Sequence, residues 1–563
     1  MKNCVVFVFM TLLGCGSPAR AEPFSNLRAA YATRDANAAA ATYVPDAQVV
    51  YRYGGAPEER YRGTGAITSS FKALFDQVDA KDRLDLNFRE TSRVGNRVQG
   101  VYRLRIGKTL ATYGRFDVVL DPSDKFVSDT STGASREDFE EASGTVMLNS
   151  GEETLDRGYY AQLAGRYRLS DGCVLVVTRS VVRLFVRNSC TNDWRGLARQ
   201  SGRSWTAGDR VLSDKQITTY RFAPITGSAS PSVEVVDTQG AKAALRVPAY
   251  VTEDVSFRSA DGTMLAATIY KPSGGMQQRA ATVMLHGSGP QDRDGYASII
   301  AVLADELAAS GRVVLAFDKR GSGGSDGDGD RAGFGVLASD ARAAMEYLAK
   351  RPEVNPSRIG LAGSSQAGWV AAKAISDGAS PADVLLLGAA GAALTVAEQN
   401  RYNTEVRMRC QGINARDVRL ALDQQKAFFD FLRKPSMAGK LDTLTAKGRL
   451  RPALNDWLFP DSRTIDRSAG AWYVMLDPFF DPLPVWTRYK GRAKFLFSEF
   501  DDSTPTKAAQ ARLIHTGAKT KTLPHAQHLG LATTDICKGE FSDLSQVAPG
   551  LMPAVAEFAM SDN

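Results

Sequence analysis

The ten residues from Ile359 to Gly368, IGLAGSSQAG, join a short apolar run to a cluster of small residues and the start of a helical pattern. A continuous apolar run of this length is typical of a strand buried on both faces of a sheet. The spacing Gly363-x-Ser365-x-Ala367 fits a sharp turn between strand and helix, where only small side chains fit two residues either side of an exposed serine. Ser364 is the competing hydroxyl, but it would need a register shifted by one residue. The stretch therefore predicts Ser365 as a nucleophile.

Similar apolar runs recur along the C-terminal half of the chain and alternate with helical patterns. They are Val283–Leu285, Val313–Phe317, Val384–Leu387 and Phe495–Phe497. Strands that alternate with helices predict an α/β fold with a doubly wound, mostly parallel sheet and right-handed crossovers. In such a sheet ligands bind at the carboxyl ends of the strands, which is where Ser365 is expected to lie.

The loop after the first of these runs, from His286 to Pro290, is also rich in small residues. Backbone N–H groups in such a loop can approach the negative oxygen that forms when a carbonyl is attacked. We expect the N–H groups of Ser288 and Gln366 to form this oxyanion hole, with Gly287 as a supporting residue. We expect His286 to orient the loop by hydrogen bonds rather than to transfer a proton.

An acid and a histidine follow two predicted strands, in the chain order that this kind of sheet uses for a serine triad. The run Phe495–Phe497 leads to Asp501, and the predicted strand Thr520–Leu523 leads to His528. Both side chains therefore reach the same carboxyl edge as Ser365. We predict that His528 accepts the serine proton and that Asp501 holds the imidazole in the required tautomer. The alternatives that stay open are Asp502 or Glu499 as the acid and His525 as the base.

Motifs for a metal or a cofactor are not apparent. His525 and His528 are three residues apart, but no third ligand lies at a useful spacing. The acidic run that begins at Asp326 resembles a calcium loop, yet Arg331 and Leu337 occupy the positions of its glycine and glutamate. The glycine-rich segment before it lacks the pattern of a phosphate-binding loop. We therefore expect a reaction that uses no metal and no cofactor.

Five stretches taken together resemble the alpha/beta hydrolase superfamily, and within it the secreted dienelactone-hydrolase-like and serine-aminopeptidase-like esterases. They are His286–Arg293, Asp318–Ser325, Gly363–Gly368, Asp501 with Pro505, and His528. The resemblance spans nearly all of residues 250–563 and implies a catalytic domain there. An insertion of amphipathic and aromatic segments at about residues 394–486 is expected to form a helical lid. The sequence departs from the usual pattern in two places. At the turn, Ser364-Ser365-Gln366-Ala367-Gly368 stands where His-Ser-Gln-Gly-Gly is usual, and Ser498 stands where a glycine usually precedes the acid turn.

Two segments precede this domain. Residues 22–144 show two helical patterns followed by strand-like alternation, which predicts an α+β cone with a curved antiparallel sheet. Their order, with the sequences at Tyr43–Ala47 and Gly114–Phe116, resembles the NTF2-like (SnoaL-like) fold. The resemblance implies an accessory role or a contact between copies of the chain. Residues 154–248 consist of short strand-like runs separated by turn signals, which predicts a small all-β domain, either a sandwich or a barrel.

The first residues of the chain have the pattern of an export signal. An apolar run from Cys4 to Leu13 is followed by Ala19-Arg20-Ala21, which fits a cleavage site, so residues 1–21 are expected to be removed. The alternative is a lipoprotein signal with Cys15 lipidated, the one case in which we expect a membrane contact. Either signal predicts a periplasmic or secreted protein.

Four cysteines remain after such a cleavage, an even number that suits an oxidising compartment. Cys173 and Cys190 flank two strand-like runs and are expected to form a local bridge, with two buried thiols as the alternative. Cys410 with Cys537 is the second candidate pair.

The charge pattern and the motifs limit the function classes. The formal net charge of +7 is spread over 563 residues without a dense basic block, so a nucleic-acid partner is not supported. The first remaining hypothesis is an exported serine hydrolase that cleaves small carboxylic esters through an acyl-enzyme. The others are a serine peptidase of the same fold and a binding protein whose hydrolase domain is inert.

Overall fold

The computed structural model describes most of the chain. The described residues are 22–561 except 53–58, 77, 79–82, 107–109, 135–137, 140–145, 149–150, 154–161, 181–182, 200–203, 212, 214, 224–230, 275–277, 290, 296–297, 323, 328, 330–331, 466–470 and 540–542. The predicted export signal and Cys15 lie outside them. The described residues divide into two compact units, one within Met1–Asp156 and Asp466–Trp472, the other within Arg157–Ile465 and Tyr473–Asn563.

The strands fall into three larger sheets and one hairpin. In the first unit they are β1 (Tyr43–Arg52), β2 (Glu59–Arg62), β3 (Leu84–Val94), β4 (Arg97–Ile106), β5 (Leu110–Leu120), β6 (Phe126–Gly133) and the hairpin of β7 (Val146–Leu148) and β8 (Gly151–Glu153). A second set is β9 (Gly165–Leu169), β10 (Val174–Ser180), β11 (Arg183–Asn188), β12 (Trp194–Arg199), β13 (Ser204–Ala207), β14 (Thr218–Phe222), β15 (Ser232–Asp237) and β16 (Gly240–Val247). The third set is β17 (Tyr250–Arg258), β18 (Met264–Pro272), β19 (Arg279–Leu285), β20 (Val313–Phe317), β21 (Val354–Ser364), β22 (Asp383–Leu387), β23 (Arg492–Ser498) and β24 (Lys519–Leu523).

Along the chain, the first helices precede or interrupt the strands of the first sheet, and the others fall among or after those of the third. They are α1 (Glu22–Thr33), α2 (Ala36–Ala40), α3 (Thr64–Asp76), α4 (Ile299–Ala309), α5 (Phe334–Ala349), α6 (Ala367–Ser376), α7 (Val396–Cys410), α8 (Ala415–Arg433), α9 (Ala438–Arg449), α10 (Trp472–Met475), α11 (Leu483–Arg488), α12 (Thr506–Leu513) and α13 (Leu551–Met560). Among the described residues, none of the helices is long and apolar enough to cross a bilayer.

The first unit packs helices against a six-stranded sheet in the order β2-β1-β6-β5-β4-β3. Helix α3 buries Ile67, Phe71, Leu74 and Phe75, the face that its sequence spacing predicts. The antiparallel pairing expected for the strands after α3 is confirmed for β3 to β6, and β1 joins the same sheet by pairing with β6 in parallel. The chain enters the sheet at β1, leaves it through α3, and returns at the far edge, so its last strand closes beside its first. The resemblance to the NTF2-like fold stays a prediction.

A carboxyl group lies in the core of this unit. Asp129 on β6 has no solvent exposure, its Oδ2 accepts a hydrogen bond of 2.9 Å from the Tyr43 hydroxyl, and its Oδ1 accepts one of 3.3 Å from Ser131. Burial raises the pKa of Asp129 well above its ordinary value, because the ionised form loses its hydration there. The native unit therefore favours the protonated acid.

This raised pKa makes the stability of the first unit depend on pH. A group whose pKa is higher in the folded state contributes its full stabilisation below its unfolded pKa of about 4 and loses it as the pH rises through the folded value. Asp129→Asn keeps the hydrogen-bond acceptor and cannot ionise, so we expect it to remove this loss. Hydrogen exchange of peptides from residues 22–133, corrected for intrinsic rates between pH 5 and 8, should show a flatter profile than wild type. The exposed Asp76→Asn is the control, and an unchanged profile in Asp129→Asn would contradict the prediction.

The strands β9 to β16 form a closed barrel in the order β10-β11-β12-β13-β14-β15-β16-β9. The barrel, rather than the sandwich, is thus the form that this part of the chain adopts. The predicted bridge between Cys173 and Cys190 is confirmed, and it closes the open end of the β10–β11 hairpin. A loop of this length gains about 3 kcal/mol from such a cross-link in the chain-entropy view.

The barrel contacts the α/β part of its own unit at helix α4. Arg166 on β9 donates to both oxygens of Asp305 on α4, at 3.2 and 3.1 Å. Ser298, the residue before α4, donates to the backbone carbonyl of Arg179 at 2.6 Å. These contacts fix the start of α4, which follows the loop that begins at the end of β19.

The third sheet has the order β17-β18-β20-β19-β21-β22-β23-β24. Its first two strands are antiparallel and the rest run parallel, which confirms the predicted mostly parallel sheet. Side chains of α4 and α13 cover one face, and those of α5 and α6 cover the other. Helices α7 to α11 lie between β22 and β23 in the chain, in the region predicted as a lid.

Candidate active site

The turn between β21 and α6 holds Ser365 in a left-handed backbone conformation, with φ of 55°. Such a conformation costs a non-glycine residue about 1–3 kcal/mol, so neighbouring contacts must hold it. The Ser365 N–H donates to the Leu387 carbonyl at 3.0 Å. A side chain at Gly363 would place its Cβ 2.4 Å from the Leu285 carbonyl oxygen and 2.6 Å from the Ala367 Cβ. The small residues predicted for the turn are therefore required by its packing.

The two adjacent serines differ in access. Ser364 ends the buried strand and is 3% exposed, whereas Ser365 at the tip of the turn is partly exposed. Only the hydroxyl at the tip is in a position to meet a substrate.

The predicted oxyanion loop lies beside this serine. A Cβ added at Gly287 would be 3.7 Å from the Ser365 Cβ. The loop folds back on itself, since the Gln291 side-chain amide donates to the Ser288 carbonyl at 2.8 Å. The structure therefore brings Gly287 and Ser288 to the side of the turn that carries Ser365 and Gln366.

A lysine that the sequence reasoning did not single out joins the loop to the turn. The Lys319 ammonium donates to the carbonyls of Gly287 and Gly289, both at 2.9 Å, and to Oε1 of Gln366 at 2.7 Å. Burial lowers the pKa of Lys319 to about 7. The signal available in the sequence was its position two residues after the end of the buried run Val313–Phe317.

His286 at the base of the loop is buried, and its ring packs edge-on against Phe317 with centroids 4.9 Å apart. Burial, followed by the charge of Lys319, lowers the pKa of His286 to about 3. The imidazole is therefore neutral across the physiological range. A permanently neutral, enclosed ring suits the supporting role predicted for it.

The predicted acid and base are in direct contact. Nδ1 of His528 lies 2.9 Å from Oδ1 and 3.1 Å from Oδ2 of Asp501, which is 1% exposed. The backbone N–H groups of Ser503 and Thr504 donate to Asp501 Oδ1 at 2.8 and 2.7 Å and fix the carboxylate. Burial alone would lower the pKa of His528, but the charge and hydrogen bond of Asp501 outweigh it and raise the pKa.

The three alternative residues point elsewhere. Asp502 accepts from Nε of Arg407 at 2.9 Å. Glu499 is exposed and accepts from the backbone N–H of His525 at 2.8 Å, while the His525 ring is exposed and stacks on Phe500. Of the candidate acids, Asp501 is the one that contacts a histidine side chain.

A glycine that the sequence reasoning missed connects the serine to the acid–base pair. Gly388 follows Leu387, the residue that accepts from the Ser365 N–H, and has φ of 55°. A Cβ at this position would lie 2.3 Å from the His528 carbonyl oxygen, 3.2 Å from its Nδ1 and 3.4 Å from Asp501 Oδ2. The end of β22 therefore contacts the Ser365 turn through Leu387 and the Asp501–His528 pair through Gly388. A glycine directly after the run Val384–Leu387 was the available signal.

Helix α7 packs against the acid turn. The Tyr402 hydroxyl donates to the Asp501 carbonyl at 2.8 Å, and the Asn403 amide donates to the Asp502 carbonyl at 3.1 Å. The last residue of the helix, Cys410, forms a disulfide with Cys537 in the chain after His528, which confirms the second predicted pair. The helix is thus attached to both segments that carry the predicted acid, Asp501, and the predicted base, His528.

A cavity and the absence of a metal-binding cluster among the described residues complete the description of this unit. A cavity of about 460 Å³ lies between the barrel and the third sheet, lined by residues such as Arg166, Arg179, Tyr250 and Asp294 and by none of the predicted site residues. Within the described ranges, no group of three or more His, Cys, Asp or Glu side chains is arranged to hold a metal ion.

The sheet order and the sequence define the class of fold. Residues 282–535 match the sequence model of the Alpha/beta hydrolase family, and they contain Ser365, Asp501 and His528. This part of the chain is an alpha/beta hydrolase fold.

Particular relatives match a shorter stretch. An uncharacterized protein of Mycobacterium tuberculosis is 37% identical over 118 residues, which are 21% of this chain and 39% of that protein. The uncharacterized protein YfhR of Escherichia coli is 33% identical over 116 residues, again 21% of this chain and 39% of the relative. The chain spans about two fifths of the length of these curated relatives.

Solved structures align with about half of the chain. Est1E from Butyrivibrio proteoclasticus, solved with ferulic acid bound, is 16% identical, with a TM-score of 0.35 over 55% of this chain and 98% of its own. An esterase from Pyrococcus furiosus is 16% identical, with a TM-score of 0.32 over 50% of this chain and 84% of its own.

The crowding at Gly388 predicts a large effect of Gly388→Ala on activity. The added methyl group collides with the His528 backbone, and a misplacement of about 1 Å near reacting groups costs about 10²-fold in rate. We expect kcat on a nitrophenyl ester to fall by at least about 10²-fold while far-UV circular dichroism is unchanged. Gly378→Ala is a matched control, because Gly378 also has positive φ but nothing lies near its Cβ. Equal losses in the two variants would show that backbone strain alone is responsible.

The contacts of the two neighbouring aspartates predict opposite outcomes for their amide variants. Asp501→Asn favours the wrong imidazole tautomer and removes the charge beside His528, so kcat should fall by about 10⁴-fold. Asp502→Asn loses an ion pair with Arg407 but leaves the His528 contact, and we expect a loss below about 10-fold. Steady-state hydrolysis of the same ester by both purified variants measures the difference, and a larger loss in Asp502→Asn would reassign the acid.

Proposed function

We propose that the protein is an exported serine hydrolase that cleaves small carboxylic esters through an acyl-enzyme. The observation that carries this proposal is the Asp501–His528 pair, which lies beside Gly388. The residue before this glycine, Leu387, accepts a hydrogen bond from the N–H of Ser365 in the strained turn. A buried acid, a histidine held by one ring nitrogen and a partly exposed serine are the components of nucleophilic acyl transfer.

In the proposed reaction the Ser365 Oγ attacks the ester carbonyl carbon, and Nε2 of His528 takes the hydroxyl proton. The carbonyl π pair moves onto oxygen, where the N–H groups of Ser288 and Gln366 stabilise the negative charge. The tetrahedral intermediate then expels the alcohol, which receives the proton from His528. Water repeats the sequence on the acyl-enzyme and releases the acid and free Ser365.

Asp501 supports both proton transfers without itself changing protonation. It fixes the His528 ring through Nδ1 and stabilises the imidazolium that forms in each step. The pKa of His528 is raised in the protein without substrate. The neutral imidazole, which is the form that can act as the base, therefore appears only as the pH rises through this raised pKa. The acidic limb of kcat/KM should therefore lie above the ordinary histidine pKa of about 6.5.

Export is supported by the disulfides. Cys173–Cys190 and Cys410–Cys537 both suit an oxidising compartment, because such bonds are rare where cellular thiols keep cysteines reduced. The export-signal pattern of residues 1–21 also supports export. The signal would either be cleaved after Ala21 or be that of a lipoprotein lipidated at Cys15.

A fluorophosphonate probe tests the nucleophile. We expect the folded protein to be labelled at Ser365, and Ser365→Ala to lose both labelling and ester hydrolysis by at least about 10³-fold. Ser364→Ala is the matched control, since its hydroxyl lies one residue away and is buried. Folded wild type that resists the probe would contradict the proposal and favour an inert binding domain.

Substrate class is tested with two chromogenic compounds on unlabelled wild-type protein. A short-chain nitrophenyl ester should be hydrolysed, and an aminoacyl nitroanilide should not. Activity on the anilide alone would overturn the esterase proposal in favour of a peptidase of the same fold.

A further inference from the structure

Lys319 is a buried cation with an unusual set of partners. Its side chain is 6% exposed, and its three N–H bonds meet the Gly287 carbonyl, the Gly289 carbonyl and Gln366 Oε1 at 2.7–2.9 Å. A buried ammonium is costly unless hydrogen bonds satisfy it. These acceptors supply one partner for each of the three donors of the charged form.

The carbonyl groups that Lys319 contacts are bonded to the peptide N–H groups of the predicted oxyanion loop. The carbonyl of Gly287 and the N–H of Ser288 belong to one planar, trans peptide, so they point in opposite directions. By holding the carbonyl, Lys319 fixes the direction of the Ser288 N–H and disfavours a flip of that peptide. The same ammonium holds the side chain of Gln366, whose backbone N–H is the second proposed oxyanion donor.

We propose that Lys319 is the positioning residue of the oxyanion hole, and that its ammonium orients the Ser288 and Gln366 donors and adds positive charge behind them. The inference rests on the proposed function, because it needs an oxyanion to form at Ser365. Donors fixed before the reaction stabilise the developing charge without reorganisation at the moment of attack. Lys319 acts through these donors and does not touch the substrate.

The charged form is the one that the geometry fits. A neutral amine has two N–H bonds and a lone pair, so one of the three acceptors would face that lone pair. Of the titratable groups around Lys319, His286 is neutral, and the neighbouring Asp318 is bound at both oxygens by Arg293. Arg320 on its other side is bound to Asp340. Burial lowers the pKa of Lys319 to about 7, so the ammonium becomes the minor form in mildly alkaline solution.

The test compares Lys319→Met with Lys494→Met. Both remove a lysine ammonium from the α/β part of the chain, but Lys494 lies on β23 and pairs with Glu557 on α13. We expect Lys319→Met to lower kcat for a nitrophenyl ester by about 10²-fold, the usual loss for one oxyanion donor. KM should stay within about threefold, because the lost interaction is made in the transition state. Lys494→Met should keep wild-type kcat, and both melting curves should stay cooperative.

A pH profile provides a readout that a purely structural lysine would not change, and it works even if Lys319→Met fails to fold. Wild-type kcat/KM should fall on the alkaline side as Lys319 loses its proton. Lys319→Arg, which keeps its charge at all accessible pH values, should be less active but lack this alkaline limb. A wild-type profile that stays flat to about pH 10, where an ordinary lysine is half deprotonated, would overturn the inference.

The outcomes separate this inference from the proposed function. Wild type that neither hydrolyses esters nor reacts with the fluorophosphonate overturns the proposed function, whatever the lysine does. Wild type that does both, together with a fully active Lys319→Met, overturns the role of Lys319 alone. A loss expressed mainly in KM would assign Lys319 to substrate binding and also overturn the inference.

Discussion

The hydrogen bond from the Ser365 N–H to the Leu387 carbonyl is the contact on which the site depends. It joins the ends of two adjacent parallel strands and holds the left-handed turn that exposes the serine. This conformation requires positions without side chains on either side. A side chain at Gly363 would collide with Leu285, and one at Gly388 would collide with His528. A strained residue persists only where its surroundings over-determine it. Here the hydrogen bond to Leu387 holds the turn, and the glycines leave the space that the turn needs.

Charged side chains bind the surrounding loops to this turn. Arg293 donates to Asp318 through its backbone N–H, Nε and Nη2 at 2.7–2.9 Å, and Asp318 also accepts from the Gly324 N–H at 2.8 Å. The pair is largely buried, and a buried pair that loses one partner leaves an uncompensated charge. The two sequence stretches that carry Arg293 and Asp318 therefore constitute one structural element, and Lys319 extends it to Gln366.

The features that follow from local patterns were predicted well from the sequence. The buried runs around Val283–Leu285 and Val384–Leu387 became strands because uninterrupted apolar runs of this length fit a sheet covered on both faces. The contact between Asp501 and His528 could be predicted because the carboxyl ends of parallel strands lie at one edge of the sheet. The parallel pairing of β1 with β6 was not predicted, because alternation specifies which face is buried and not which strand is the neighbour. Gly388 and Lys319 were missed for a related reason: their importance lies in contacts with segments distant in the chain.

The first helix of the segment predicted as a lid is firmly attached to neighbouring segments. A segment that opens over a site must be able to leave it, yet α7 is bonded to the acid turn through Tyr402 and Asn403 and paired with Asp502 through Arg407. Its last residue is joined covalently to Cys537, in the segment that follows His528. Moving α7 would break these contacts and disturb the backbone that holds the Asp501 carboxylate. The first helix of the insertion is therefore a brace for the segments that carry Asp501 and His528, and the disulfide stabilises the contact between the insertion and these segments.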